Sequence, residues 1–523
     1  MKISIAFIII ALECVSSLKF LCYSPRFASS HVNFMGKLAD SLIDAGHEVV
    51  VLSPTLDSTV PEGTKRARLI QIPMTEASFE FETGMNENLT EWQVQWTWQV
   101  IGGWSAYAPL WVAQCHDTLH RPDLLDQLRE EKFDAAFAES IDWCAVGIFH
   151  LVGIEKFAIT ESFAQKDGLY PVSGMDVNLA YVPTIMGGHF GEAMSFFQRA
   201  FNVFNYFIYK DFVYHAVDRY QTMFDDYQKG FPGVVDLMAL NSLYFLNSDP
   251  LVDFPRPSAA RVIDIGGVAV SNGHSKLNET WSSILSLRPH TVLMSFGTLA
   301  KAYSMPEEYK ESIRETARAM PDVTFIWKYE RPSHNVSQGI PNLIEATWVP
   351  QNDMLHDPRL SLFVTHCGQG STTEANYAGV PLVIVPVVLD QIRNAYAMER
   401  RRLGVVVEKS LLTTPKPFMD AVKKVMDDDS YKKRALTTAQ MLRDKPFAGR
   451  ELFVRNMEFL AVHGPLRQLD HYGGKLSFIQ YYLIDVIGAV VITMLSLISL
   501  VVYFSWRIVK IARRTVSVKT KTQ

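Results

Sequence analysis

The sequence predicts an α/β protein with two parallel-sheet domains and one membrane-spanning helix near its end. Three observations point there. Just past residue 17, an apolar stretch, a helical stretch and a second apolar stretch form a strand–loop–helix–strand unit. A second series of this kind begins at Thr291. Close to the other end, Val486 to Ser505 holds twenty residues without a charge.

Leu18 to Tyr23 reads as a buried strand and Ser24 to Ser30 as a polar loop. From His31 to Ala45, the residues Phe34, Leu38, Leu42 and Ala45 recur at helical spacing until Gly46 stops the helix. Glu48 to Leu52 is the next strand, and such alternation starts a parallel sheet. The unit lacks a GxGxxG turn, so no dinucleotide is expected on it. Further along, the strand Phe133 to Ala138 ends at Glu139. Between Glu192 and Lys229, the residues Phe197, Phe201, Phe204, Ile208, Phe212 and His215 recur at three or four residues. A stripe at that spacing is expected to be core; an aromatic wall for an apolar acceptor and a membrane-facing surface are the alternatives.

Leu251 to Pro257 is rich in proline, and Gly266-Gly267 and a polar stretch to Lys276 follow. This is the candidate linker between a domain over 18–270 and a domain over 271–465. In the second domain, Thr291 to Phe296 is a strand ending in Gly297-Thr298, and Glu307 to Ala319 is a helix. Thr324 to Lys328, Leu360 to Thr365 and Val380 to Val385 are further strands, which implies a second parallel sheet.

Both ends carry targeting signals. Met1 to Ser17 has one lysine, an uncharged run from Ile3 to Leu12 and small residues after it, the layout of a cleaved signal. The membrane helix is assigned to 483–505, long enough to cross a hydrocarbon core of about 30 Å. The tail over 506–523 carries Arg507, Lys510, Arg513, Arg514, Lys519 and Lys521 and no acid, so it is expected in the cytosol, with the bulk of the chain on the other side. Lys519 and Lys521 match the di-lysine retrieval pattern of the endoplasmic reticulum, against the plainer reading of a basic flank. The net charge of −5 over 523 residues gives no basic face for nucleic acid. Cys22, Cys115, Cys144 and Cys367 form no CxxC pair, so a zinc site is not expected, and a disulfide cannot be assigned. Asn88, Asn278 and Asn335 stand in N-glycan triplets.

The chemistry concentrates in Trp348-Val349-Pro350-Gln351, then Thr365 to Glu374, then Asp390-Gln391. The middle part is a strand stopping at His366, a glycine turn through Gly368 and Gly370, and a helix opening near Ser371. Free N–H groups at that helix end make an anion site that fits a diphosphate without a metal. Glu374 lies one turn on, in reach of ribose hydroxyls, and Trp348 and Gln351 offer a face and an amide for a base. Asp390-Gln391, past the end of a buried strand, suits a polyhydroxyl ligand. His31, at the start of the first helix, feels the positive helix end, which keeps it neutral as a base requires. Asp427-Asp428-Asp429, the only DxD match, reads as a solvated turn.

In order over 47 residues, these pieces make the chain resemble the UDP-glycosyltransferase superfamily, in particular the animal UDP-glucuronosyltransferases. The resemblance covers nearly the whole chain and implies the GT-B fold, two Rossmann-like domains facing across a cleft. It implies that Trp348 and Gln351 hold uracil, Glu374 the ribose, His366 with the Gly368–Ser371 turn and Thr298 after Gly297 the diphosphate, and Asp390 with Gln391 the sugar. It makes His31 the base, with Glu139 as its orienting carboxylate and Asp142 as the rival. The family more often has aspartate at Glu139 and asparagine at Gly370; the longer side chain calls for an adjusted or water-bridged geometry, and Gly370 removes a contact near the donor. The implied reaction is inverting transfer of a sugar from a UDP-sugar donor to a small lipophilic acceptor, with no metal or cofactor, and with room for a homo-oligomer. Glucuronate is the expected sugar and glucose the alternative, Arg393 being the nearest candidate for a carboxylate. A catalytically silent UDP-sugar or lipophile binder in the membrane is the competing class, and His31 with Glu139 argues against it.

Overall fold

The computed structural model describes residues 17–519 except 77, 80–90, 96, 106, 165, 176–177, 187–188, 271–274 and 299. The chain divides into one unit ending at Leu469 and a second from Asp470 onward. Of the expected signal only Ser17 is described, and Asn88 and Lys521 lie outside the described residues.

The first unit holds two parallel sheets. The first contains β1 (Lys19–Tyr23), β2 (Glu48–Pro54), β3 (Arg68–Ile72), β4 (Ala135–Glu139), β5 (Phe157–Glu161), β6 (Leu243–Leu246) and β7 (Val262–Asp264). Their order is β3-β2-β1-β4-β5-β6-β7, and every pairing is parallel. The second contains β8 (His290–Ser295), β9 (Val323–Lys328), β10 (Leu343–Ala346), β11 (Leu360–Thr365), β12 (Leu382–Ile384) and β13 (Gly404–Val406), in the order β10-β9-β8-β11-β12-β13. These pairings are parallel too. In each sheet the direction of winding reverses at the centre, between β1 and β4 and between β8 and β11. A crevice opens at the carboxyl ends of strands at such a reversal, because neighbouring connections leave to opposite faces.

The helices that position the site are α1 (Ser29–Asp44), α2 (Phe196–Tyr227), α3 (Gln369–Ala378), α4 (Asp390–Arg400) and α5 (Gly449–His463). On α1, Phe34, Leu38 and Leu42 are buried against the first sheet, as their spacing implies.

β7 overlaps the expected linker but lies within the span 18–270 and completes the first sheet. One element departs from the expected division. α5 lies inside the expected second domain but packs on the first sheet, with Phe453 5.5 Å from Phe137 and 5.0 Å from Phe245 between ring centroids. Its buried residues Phe453, Met457, Leu460 and Ala461 form one apolar stripe, which needs a partner face. The exchange is mutual: Trp92, from the first half, is buried in the second core, donates to the Lys301 carbonyl at 2.9 Å and meets the Phe296 ring at 5.1 Å.

The aromatic stripe on α2 also departs from the core reading. Phe197 is 81% exposed, and Phe204 and Phe207 are exposed as well. The buried face is offset and partly polar: Asn202 accepts from the Thr184 N–H at 2.9 Å and donates to the Leu179 and Val182 carbonyls. A buried amide needs such partners, and the loop before α2 provides them. Cys115 and Cys144 form a disulfide, while Cys22 and Cys367 are free and buried. Asp428 caps a helix by accepting from the Ser430 N–H at 2.9 Å, and the triple aspartate is the junction between two helices.

In the second unit, α6 (Ile484–Lys519) contains Ile484–Arg513, a segment long and apolar enough to cross a membrane, with its apolar side chains exposed. The helix continues through most of the basic tail.

Phe453→Ala should lower stability by about 3–5 kcal/mol, the usual cost of emptying a buried aromatic site. A melting temperature equal to that of the parent chain would show that α5 is not tied to the first sheet.

Candidate active site at the carboxyl ends of the two sheets

In the first half, the reversal point brings together the start of α1 and the ends of β4 and β5. His31 Nδ1 lies 2.8 Å from Glu139 Oε1 and 2.9 Å from Ser162 Oγ. The same Glu139 oxygen accepts from the Ser162 N–H at 3.0 Å. Glu139 is only 2% exposed and His31 17%. The extra methylene of glutamate therefore closes the distance directly, with no water bridge needed. A carboxylate accepts and cannot donate, so Nδ1 carries the proton and Nε2 presents its lone pair. Asp142, the rival, is committed elsewhere: it accepts from Tyr23 OH at 2.7 Å, from Tyr220 OH at 2.8 Å and from the Cys144 N–H at 3.0 Å.

The charge of His31 runs against the helix-end expectation. Burial works to lower its pKa, but the Glu139 carboxylate, with Asp390 and Glu161 behind it, outweighs burial and raises the pKa above 6.5. Paired carboxylates at contact distance exceed the fractional charge of a helix end. Aromatic rings surround the imidazole: Phe27 at 4.7 Å and Phe163 at 5.9 Å, with Trp111 4.6 Å beyond Phe27.

In the second half, β8 and β11 end side by side at Gly297 and His366. Gly297 has φ +78°, and a Cβ on it would lie 2.7 Å from His366 Nε2. A Cβ on Gly368 would lie 2.5 Å from the same atom. These two glycines make room for the ring and let it sit against the N-terminus of α3, whose N-cap is Gly368. Burial, reinforced by Lys328, lowers the His366 pKa to about 4, so the ring is a neutral donor at pH 7. Its Nδ1 is buried without a hydrogen-bond partner. Gly370 differs from the other two, since a Cβ there would meet nothing within 4 Å.

Gln351 Nε2 donates to Glu374 Oε2 at 2.8 Å and Ser371 Oγ at 3.1 Å, which joins three expected donor contacts in one chain. Burial raises the Glu374 pKa, and the Gln351 bond opposes it. Trp348 is 69% exposed and offers an open face. Thr298 is exposed beside Gly297. Asp390 opens α4, accepts from Asn394 Nδ2 at 2.9 Å and interacts with the charge of His31 in the other half. Burial pushes its pKa up to about 6.

Two expected contacts are corrected. The side-chain oxygen of Gln391 accepts from the Val387 and Val388 N–H groups, each at 3.0 Å, so only its amide NH2 is left for a sugar. Arg393 is 3% exposed, pairs with Asp253 at 2.5 Å and donates to the Pro183 carbonyl at 3.2 Å. Its guanidinium is thus already engaged within the protein. One group escaped the sequence reading. Lys328, at the carboxyl end of β9, donates to the Gly297 carbonyl at 2.5 Å and lies 5.7 Å from the Trp348 ring centroid. Its place at the end of a strand next to the reversal point was the available signal.

The arrangement can bind a nucleoside diphosphate at the second reversal point and deprotonate a hydroxyl at the first. Gly297→Ala should weaken UDP binding by tenfold or more, about 1.4 kcal/mol or above, because the added methyl strikes His366. Gly370→Asn should fold normally and bind UDP at least as well as the parent chain. Titration calorimetry with UDP reads both, and equal affinities for Gly297→Ala and the parent would remove the glycine–histidine packing from donor binding.

The profile of the family described as UDP-glucoronosyl and UDP-glucosyl transferase matches residues 20–522. The Caenorhabditis elegans protein ugt-48 is 28% identical over 522 residues, covering 97% of both chains. Human UDP-glucuronosyltransferase 1A10 is 27% identical over 485 residues, covering 89% of this chain and 87% of its own. Among solved structures, Os79 from O. sativa aligns with a TM-score of 0.59 at 18% identity, over 85% of this chain and 99% of that one. The glycotransferase of kitacinnamycin aligns with a TM-score of 0.57 at 17% identity, over 86% and 99%. The chain therefore belongs to the UDP-glucoronosyl and UDP-glucosyl transferase family, the UDP-sugar-dependent glycosyltransferases of GT-B fold.

Proposed function

We propose that the chain is an inverting transferase that moves the sugar of a UDP-sugar onto a hydroxyl of a small lipophilic acceptor. The contact between His31 Nδ1 and Glu139 at 2.8 Å carries this reading, because it leaves Nε2 as the proton acceptor in an aromatic-walled recess. Nε2 takes the proton of the acceptor hydroxyl. The oxygen forms a bond to the anomeric carbon as the bond to the β-phosphate breaks, and UDP leaves with the electron pair from the opposite face. Neutral His366, Lys328 and the start of α3 face the leaving diphosphate and stabilise the charge that develops there. Glu139 holds the imidazolium that forms. Phe27, Phe163 and Trp111 support an apolar, ring-bearing acceptor.

The name of the human relative supports glucuronate as the sugar, in the manner of the animal glucuronosyltransferases. The burial of Arg393 in its pair with Asp253 favours the second reading, an uncharged hexose such as glucose. Competition between UDP-glucuronate and UDP-glucose decides between them. The exposed apolar helix α6 supports a single-pass anchor, with the catalytic part in the lumen of the endoplasmic reticulum and the basic tail in the cytosol.

His31→Ala should abolish UDP release with a panel of phenols and sterols while UDP affinity stays within about twofold. Undiminished release would remove His31 from the role, and no release from the parent chain across the panel would favour a silent binder.

The base works only as neutral imidazole. With its pKa raised, activity should be complete above that pKa and fall as pH drops through it, giving kcat/KM an acid limb above 6.5. A limb below 6.5 would contradict the Glu139 pairing.

A further inference from the structure

Behind Glu139 lies a second buried carboxylate that the reaction as described does not use. Glu161 ends β5, the strand beside β4, where Glu139 pairs in register with Thr160. Glu161 is fully buried. Its Oε1 accepts a close hydrogen bond from Ser140 Oγ and one from Tyr244 OH at 2.5 Å, while Oε2 has no hydrogen-bond partner. Lys166, in the loop after β5, is buried too and donates to Ser140 Oγ at 3.3 Å and to the Ser140 carbonyl at 3.2 Å. An ion chain thus runs Lys166–Ser140–Glu161. Residue 162, next in sequence to Glu161, donates its N–H to Glu139 and sets its hydroxyl 2.9 Å from His31 Nδ1.

A plain structural pair would lie apart from the base. This one adjoins Ser162 in sequence and ends the strand beside the one that Glu139 ends. Two carboxylates side by side repel, and burial deepens the cost of both charges. A cation within hydrogen-bond reach of one of them relieves that cost. Lys166 is placed to do so: its hydrogen bonds go to Ser140, and its charge interacts with Glu161 first and with Glu139 second.

We propose that Glu161, linked through Ser140 to Lys166, is a positioning residue whose negative charge behind Glu139 strengthens His31 as a base. The inference rests on the reading of His31 as the base. The ionisable groups facing the cluster are Glu139 from β4, Lys166 from the following loop, Tyr244 from β6, Tyr209 from α2 and Asp390 from α4. Burial raises the pKa of Glu161 against the pull of Lys166 and lowers that of Lys166 against the pull of Glu161 and Glu139; on His31 burial is outweighed by Glu139, Asp390 and Glu161.

The test is the pH profile of kcat/KM for the full chain in its membrane, with UDP affinity as the check on folding. Glu161→Gln should move the acid limb down by about 0.5–1 unit, the scale of one nearby charge. Lys166→Met should move it down as well, because Glu161 then takes up a proton. An unmoved limb in Glu161→Gln overturns the proposal. An upward shift in Lys166→Met also overturns it, since Lys166 would then act on His31 directly. If either variant fails to bind UDP, Ser140→Ala cuts the chain without removing a charge: a downward shift supports the proposal and an unmoved limb overturns it. His31→Ala separates the two levels. Activity surviving in that variant defeats the base assignment itself, whereas loss there with an unmoved limb in Glu161→Gln defeats only the role of Glu161.

Discussion

The buried ion pair between Arg393 and Asp253 fixes the relation on which the chemistry depends. His31 belongs to the first half and His366 to the second, so the proposed reaction needs the two halves in register. Arg393 sits one turn along α4 from Asp390, and its partner Asp253 lies in the connection between β6 and β7 of the first sheet. The clamp therefore holds the very helix whose first residue interacts with His31. Breaking such a pair by removing one partner leaves a buried charge unpaired and costs about 3–5 kcal/mol. Asp249 with Lys445 repeats the arrangement nearby, at 2.5 Å.

Charge is distributed to suit the two tasks. Around His31 the fixed charges are negative and raise its proton affinity. Around His366 the near charge is the Lys328 cation, and burial does the rest, so the ring stays neutral. Two histidines, one on the first turn of α1 and one at the end of β11, thus carry opposite shifts: the proton affinity of the first is raised and that of the second lowered. The difference arises from neighbours and not from residue type.

Much of this was legible in the sequence because it lies in local order. His31, Glu139 and the residues from Trp348 to Asp390 each follow a strand, and parallel sheets gather strand ends at one edge. What was not legible depends on partners far along the chain. Arg393 has the charge to meet a carboxylate, and only the position of Asp253, 140 residues away, shows that it is occupied. Gln391 spends its oxygen on the loop that precedes it. The α2 stripe has helical spacing, yet spacing cannot tell which side meets protein, and the buried face proved to carry Asn202 and Asn205. The pairing of Cys115 with Cys144 needs the packing of two helices, and the seventh strand is only three residues long.

The exchange of Trp92 for α5 has a consequence for how this enzyme can be taken apart. Each core is finished by a piece of chain from the other half: an indole supplied early in synthesis, and a helix supplied late. A ribosome delivers Trp92 some two hundred residues before the sheet that receives it, and the first sheet waits for α5 until the first unit is almost complete. The halves have separate sheets but not separate cores. A cut at the linker would leave each with a hole in its interior, so grafts that recombine acceptor and donor halves keep both cores whole only if Trp92 and α5 each travel with the half they pack into.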